Sequence, residues 1–115
     1  MTDELLDIAN QMTALLPQFR DGGSMAGLFL PSPHGATFIG LVLDAKHILE
    51  EGLGNQNSFA RTLVKSVNDG AGGMTGGPSY ASVEEAAEII RAGAKAIARA
   101  QSRPRARAHR WRSLR

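Results

Sequence analysis

Apolar residues along this chain recur mainly at three- and four-residue spacings, the period of a helix with one buried face. Over residues 3–19 the stripe is Leu5, Ile8, Met12, Leu15, Leu16 and Phe19. Thr2 stands where a capping hydroxyl would accept from the first free N–H groups, and Asp3, Glu4 and Asp7 suit the positive end of the helix dipole. Pro17 lacks an N–H and crowds the preceding turn, so the helix is predicted to stop or kink near Leu16, with Phe19 stapled onto the body. Residues 20–35, RDGGSMAGLFLPSPHG, are interrupted by glycines and a P-S-P pair. They are expected to be irregular, because a short strand around Met25, Leu28, Phe29 and Leu30 has no obvious partner.

The segment Ala36 to Gly54, ATFIGLVLDAKHILEEGLG, predicts a helix to about Glu51 with Phe38, Leu41, Val42, Ala45, Ile48 and Leu49 on one face. Ile39 and Leu43 point away from that face, so its first half is apolar almost all round and is expected to be the covered, central helix of the bundle. Gly40 inside it suggests a closely approaching neighbour backbone, and Gly52 and Gly54 supply left-handed positions to close it. Asn55 or Asn57 can cap a third helix over Ser58 to Asn68, with Phe59, Leu63, Val64 and Val67 inward, and Asn68-Asp69-Gly70 is a stop. After the glycine-rich loop GAGGMTGGP, Ser82 with Glu85 resembles a capping box opening a fourth helix to Ala100 or Gln101. Its inward stripe is Val83, Ala86, Ala87, Ile90, Ala94 and Ile97. The expected fold class is therefore all-α: a small bundle of three to four helices in residues 1–101, with irregular loops and a disordered basic tail in residues 102–115.

Composition narrows the chemistry. The chain has 115 residues and no cysteine, so disulfides, thiolate metal sites and cysteine nucleophiles are excluded. MTDELLDIANQ offers neither a basic leader nor an apolar signal core, and no apolar run approaches a membrane span; a cytoplasmic protein with no membrane span is the expectation. Charge is split unevenly. Residues 1–90 carry four basic groups against eleven acids, a net of −7, whereas residues 91–115 carry nine basic groups and no acid.

That split singles out the tail. Arg103, Arg105, Arg107, Arg110, Arg112 and Arg115, with His109 and one stacking ring in Trp111, have the composition that binds phosphate backbones through counterion release and bases through stacking. RNA or DNA is thus one candidate partner, with the six arginines and Trp111 as its contacts. Arg103 and His109 also show an R-x5-H spacing that resembles the HEPN ribonucleases, which implies RNA cleavage by an arginine and a histidine on one helix face of a dimer; here Pro104 follows the arginine, where that family usually has a polar residue.

Elsewhere the candidates are plainer. Asp44, His47 and Glu51, with Glu50 beside them, share the polar side of the second predicted helix, where a metal or acid–base chemistry could be placed but where charged residues are expected anyway. Three ligands on one short helix are too collinear to enclose a metal, so no metal site is assigned. GAGGMTGGPSY lacks the lysine of a phosphate-binding loop and has threonine at position 75 where G-x-G-x-x-G needs glycine. His34 reads as a lone loop histidine. No catalytic residue and no cofactor is assigned.

The succession ILEEGLG, NQNSF, a short helix and GGPSY leading into a last amphipathic helix resembles a small helical module found in uncharacterised bacterial proteins, over roughly residues 36–100. The resemblance implies an accessory or interaction domain rather than an enzyme. Two functional expectations follow: a protein-interaction module acting through helix faces, as a homodimer or with another protein, and a nucleic-acid-binding protein acting through the tail. A second copy in the first case would cover Ile39 and Leu43.

Overall fold

The computed structural model describes the chain except residues 23–27, 71–76 and 115, and the side chains of residues 102–114. Among the described residues four helices carry the fold: α1 (Thr2–Leu15), α2 (His34–Leu53), α3 (Ser58–Gly70) and α4 (Tyr80–Leu114). The fold class is all-α, as the apolar periodicity predicts. No helix among the described residues is long and apolar enough to cross a membrane.

Most of the predicted apolar stripes are the buried ones. Leu5, Ile8, Met12 and Leu15 of α1, Phe38, Leu41, Val42, Ala45 and Leu49 of α2, and Leu63 and Val67 of α3 join one core with all six predicted residues of α4. Ile48, Phe59, Leu16 and Phe19 pack against its edge. Pro17 acts as expected: α1 ends at Leu15, a single 3-10 turn covers Leu16–Gln18, and Phe19 turns back to meet Tyr80 edge to face at 5.3 Å between ring centroids.

The helix at the centre of the bundle is not the one expected. Both α2 and α4 touch the other three helices, but α4 makes the two most extensive pairings, with α1 and with α3, while α2 leaves Ile39 and Leu43 exposed. Small side chains explain it. Ala86, Ala87 and Ala94 let three neighbours approach one rod, and Gly93 goes further, since a Cβ there would run into the Leu49 side chain of α2. Gly40, by contrast, has nothing within 4 Å of a Cβ position among the described residues, so none of their backbones accounts for it. Gly52 lies inside α2 and makes room for Ile97 and Met1, leaving only Gly54, at φ +98°, to close the helix in a left-handed conformation. Among the described residues Gln56 takes the other positive φ, at 58°, a position the sequence pattern does not mark.

Helix ends depart from expectation in four more places. Thr2 lies within α1, whose N-cap is Met1 with no side-chain hydrogen bond. His34 is the first residue of α2 rather than a loop residue. The cap of α4 is Ser79, whose hydroxyl accepts from the Ser82 N–H at 3.0 Å; Ser82 is buried inside the helix and donates instead to the Ser66 carbonyl of α3 at 3.3 Å. The backbone of α4 also continues beyond Gln101. Residues 20–35 are not wholly irregular either. Arg20–Asp21 (β1) and Leu28–Phe29 (β2) pair antiparallel, Arg20 opposite Phe29 and Asp21 opposite Leu28, and Leu30 folds into the core; Met25 lies outside the described residues.

Asn57 joins two helices with one side chain. Its amide oxygen accepts from the Ala60 N–H at 2.9 Å, capping α3, while its amide nitrogen donates to the carbonyls of Leu49 at 3.0 Å and Gly54 at 2.8 Å at the end of α2. Loss of a helix cap costs about 0.5–2 kcal/mol, and the side-chain hydrogen bonds to the Leu49 and Gly54 carbonyls, the first of them half-buried, go with it. Asn57→Ala is therefore expected to lower stability by about 2 kcal/mol in a urea titration. Asn57→Asp, which keeps the cap but not the donor, should recover part of that loss.

Candidate functional site

One face of α2 faces solvent. Along it stand Ala36, Ile39, Gly40 and Leu43, followed by His47 and Glu50, because residues three and four apart stack on one side of a helix. Ile39 is 46% exposed and Leu43 60% exposed, one turn apart, with the open Gly40 between them in sequence. Among the described residues, the other large exposed apolar ones are Met1, Leu6, Leu28 and Tyr80, none of them on α2. From Ala36 to Leu43 the chain carries no charged side chain at all. The residues that made α2 look fully buried are thus the ones that form its exposed stripe.

Beyond Leu43 the same helix becomes polar. His47 pairs with Glu51 at 3.0 Å and Lys46 with Glu50 at 3.3 Å, both four residues apart along α2. These are outward ion pairs of the kind worth little on a surface. No group of three or more His, Asp or Glu among the described residues is arranged to hold a metal ion, so Asp44, His47 and Glu51 do not form a metal centre.

Two open grooves flank the stripe. Between α1 and α2, Glu4, Asp7, Gln11, Asp44 and His47 surround a floor that includes Ile8 and Leu41, a space of about 480 Å³ with no lysine or arginine in its wall. Between α2 and α3, Lys46, Arg61 and Lys65 meet Glu50 and Asp69 around about 540 Å³. Lys65 is held in its charged form above the ordinary lysine range, first by its hydrogen bond to Asp69, then by the charge of Asp69 and more weakly of Glu85. That support is complete at neutral pH and lost only as pH rises through the raised pKa, so it does not switch in the physiological range. No buried side-chain nitrogen or oxygen among the described residues lacks a hydrogen-bond partner, so neither groove shows a polar group waiting for a ligand.

The remaining predicted sites fall elsewhere. Arg103, Arg105, Arg107, Arg110, Trp111, Arg112 and Arg115, with His109, lie outside the residues whose side chains are described. So does most of the glycine-rich loop: only Gly70 and residues from Gly77 onward are described, and Gly70 packs against Ser82. Basic groups that are described do structural work on the body: Arg91 of α4 donates to Asn10 at 3.3 Å and to Thr13 at 2.8 Å, tying α4 to α1.

Compared with known protein families, with curated proteins and with solved structures, the chain matches none.

Proposed function

We propose that this chain is a small helical interaction module that works by helix-to-helix contact, with α2 as its outward face and a second copy of the chain as its partner. The observation that carries the reading is the pair Ile39 and Leu43, exposed by 46% and 60% within an uncharged run on a helix otherwise packed against the core. A monomer has no use for two branched apolar side chains there, whereas a partner helix gives them a surface. The resemblance of residues 36–100 to a helical accessory module belongs to the same proposal.

Magnitudes set how tight such a contact is. Fully burying an aliphatic side chain contributes roughly 1.5–3 kcal/mol, and about half of that remains to be gained here. Four such side chains in a dimer amount to roughly 3–6 kcal/mol, comparable with the lower estimates of what association costs. The flanking helix surface must supply the rest. The expected dimer is weak and reversible, with Kd in the range of tens of micromolar or above, not an obligate one.

Sedimentation equilibrium over a wide concentration range tests this. The unmodified chain is expected to move from monomer to dimer, and Leu43→Glu to remain monomeric with an unchanged helical spectrum. Deleting residues 102–115 should leave the transition where it is. A chain that stays monomeric to about 1 mM overturns the reading.

A further inference from the structure

Resting on that reading, we infer that the two copies pair antiparallel through α2, about a two-fold axis that passes midway between the levels of Gly40 and Leu43, so that Leu43 of each copy seats over Gly40 of the other.

Gly40 is the first argument. A glycine in mid-helix costs about 0.5–1 kcal/mol relative to alanine, and none of the described residues stands within 4 Å of the place a Cβ would occupy. No packing within the monomer accounts for it. It leaves a shallow notch on the exposed stripe, one turn from Leu43, the more exposed of the two apolar side chains. The spacing makes the notch and the knob self-complementary. The outermost positions are Ala36, Gly40, Leu43 and His47, and an antiparallel pairing about their centre sets Gly40 opposite Leu43 and Ala36 opposite His47, each twice by symmetry. A two-fold contact of this kind closes at two copies and leaves no apolar stripe exposed.

Charge decides the direction. The half of α2 beyond Leu43 carries three carboxylates, Asp44, Glu50 and Glu51, against the single ammonium of Lys46. A parallel pair would set these two acidic halves side by side. Reversed, each acidic half lies along the other helix's first turns, which contain no acidic residue and no side-chain cap, so the positive end of the dipole faces it, although the His34 N–H there is already bonded to the Pro31 carbonyl. Side chains lean toward the N-terminus of their own helix, which carries the heads of Glu50 and Glu51 back toward that end of the partner.

The absence of cysteine makes the geometry directly testable. In the antiparallel pair, position 36 of one copy lies beside position 47 of the other, whereas two copies of position 36 are about 16 Å apart along the helix axes at 1.5 Å per residue, too far for a disulfide. A parallel pair reverses both statements. Ala36→Cys and His47→Cys, both at exposed positions, are oxidised separately and as an equal mixture, with sedimentation of the unmodified chain run beside them. The expected result is a mixed disulfide dimer at least fivefold above what either variant forms alone. Efficient coupling of Ala36→Cys to itself, with no gain on mixing, overturns the orientation and leaves the association standing. A chain that dimerises while no combination couples places the contact away from α2 and overturns the inference. A monomeric chain with no coupling removes the interaction reading too.

Discussion

Phe38→Ala is expected to lower the unfolding free energy by about 3–5 kcal/mol, the largest single loss among the changes considered. Phe38 heads the fully buried side chains in size, and the chain has only four phenylalanines, one tryptophan and one tyrosine. Much of the surrounding core is alanine and valine, short side chains with few rotamers able to swing into a void of ring size. The hole therefore stays largely open, and its cost adds to the lost transfer of the ring from water. Against a total stability of about 5–15 kcal/mol, the variant should be partly unfolded at physiological temperature. Urea titration followed by far-ultraviolet circular dichroism measures the difference; a loss below about 1 kcal/mol would show that α2 is not anchored by this ring.

Two glycines with opposite surroundings give the second prediction. At Gly70 an added Cβ would meet Ser82, with its Oγ at 2.5 Å, and Ser79 Oγ at 3.2 Å. Neither neighbour has room to yield. Ser82 is 4% exposed and bonded to the Ser66 carbonyl, and Ser79 caps α4. Overpacking costs typically about 1–3 kcal/mol, and disturbing a cap adds about 1 kcal/mol. Gly70→Ala is thus expected to destabilise by about 2–4 kcal/mol. At Gly40 the same change meets open space and should stabilise the monomer by about 0.5–1 kcal/mol, measured by thermal unfolding in dilute solution where dimers do not form. Equal effects at the two positions would contradict the close seam between α3 and α4.

The stripe from Val83 to Ile97 was fully legible, because period 3.6 survives even when alanine fills half of it. Its rank was not. Alanine adds little apolar surface per residue, so α4 looks weaker than α2 in sequence, yet small side chains are what allow three helices to crowd one. Ile39 and Leu43 show the converse: apolarity all round reads as cover from all sides, yet the bundle leaves both side chains exposed. Ser79 and Ser82 stand three apart, each preceding a helical pattern, and only the position of α3 decides which one caps and which one crosses over. The pairing of Arg20–Asp21 with Leu28–Phe29 rests on two residues a side, too short for alternation to register.

The placement of α4 has a consequence for how the molecule comes into being. Synthesis runs from the amino end, so α1, α2 and α3 leave the ribosome before the helix they all lean on. Leu5, Ile8 and Met12 of α1 must wait for Val83, Ile90 and the alanines between them, some eighty residues later, and α1 with α4 is the most extensive pairing in the bundle. Closing so long a loop is slow relative to local helix formation. Until α4 follows, α1, α2 and α3 have only their smaller contacts with one another, and the core cannot be completed.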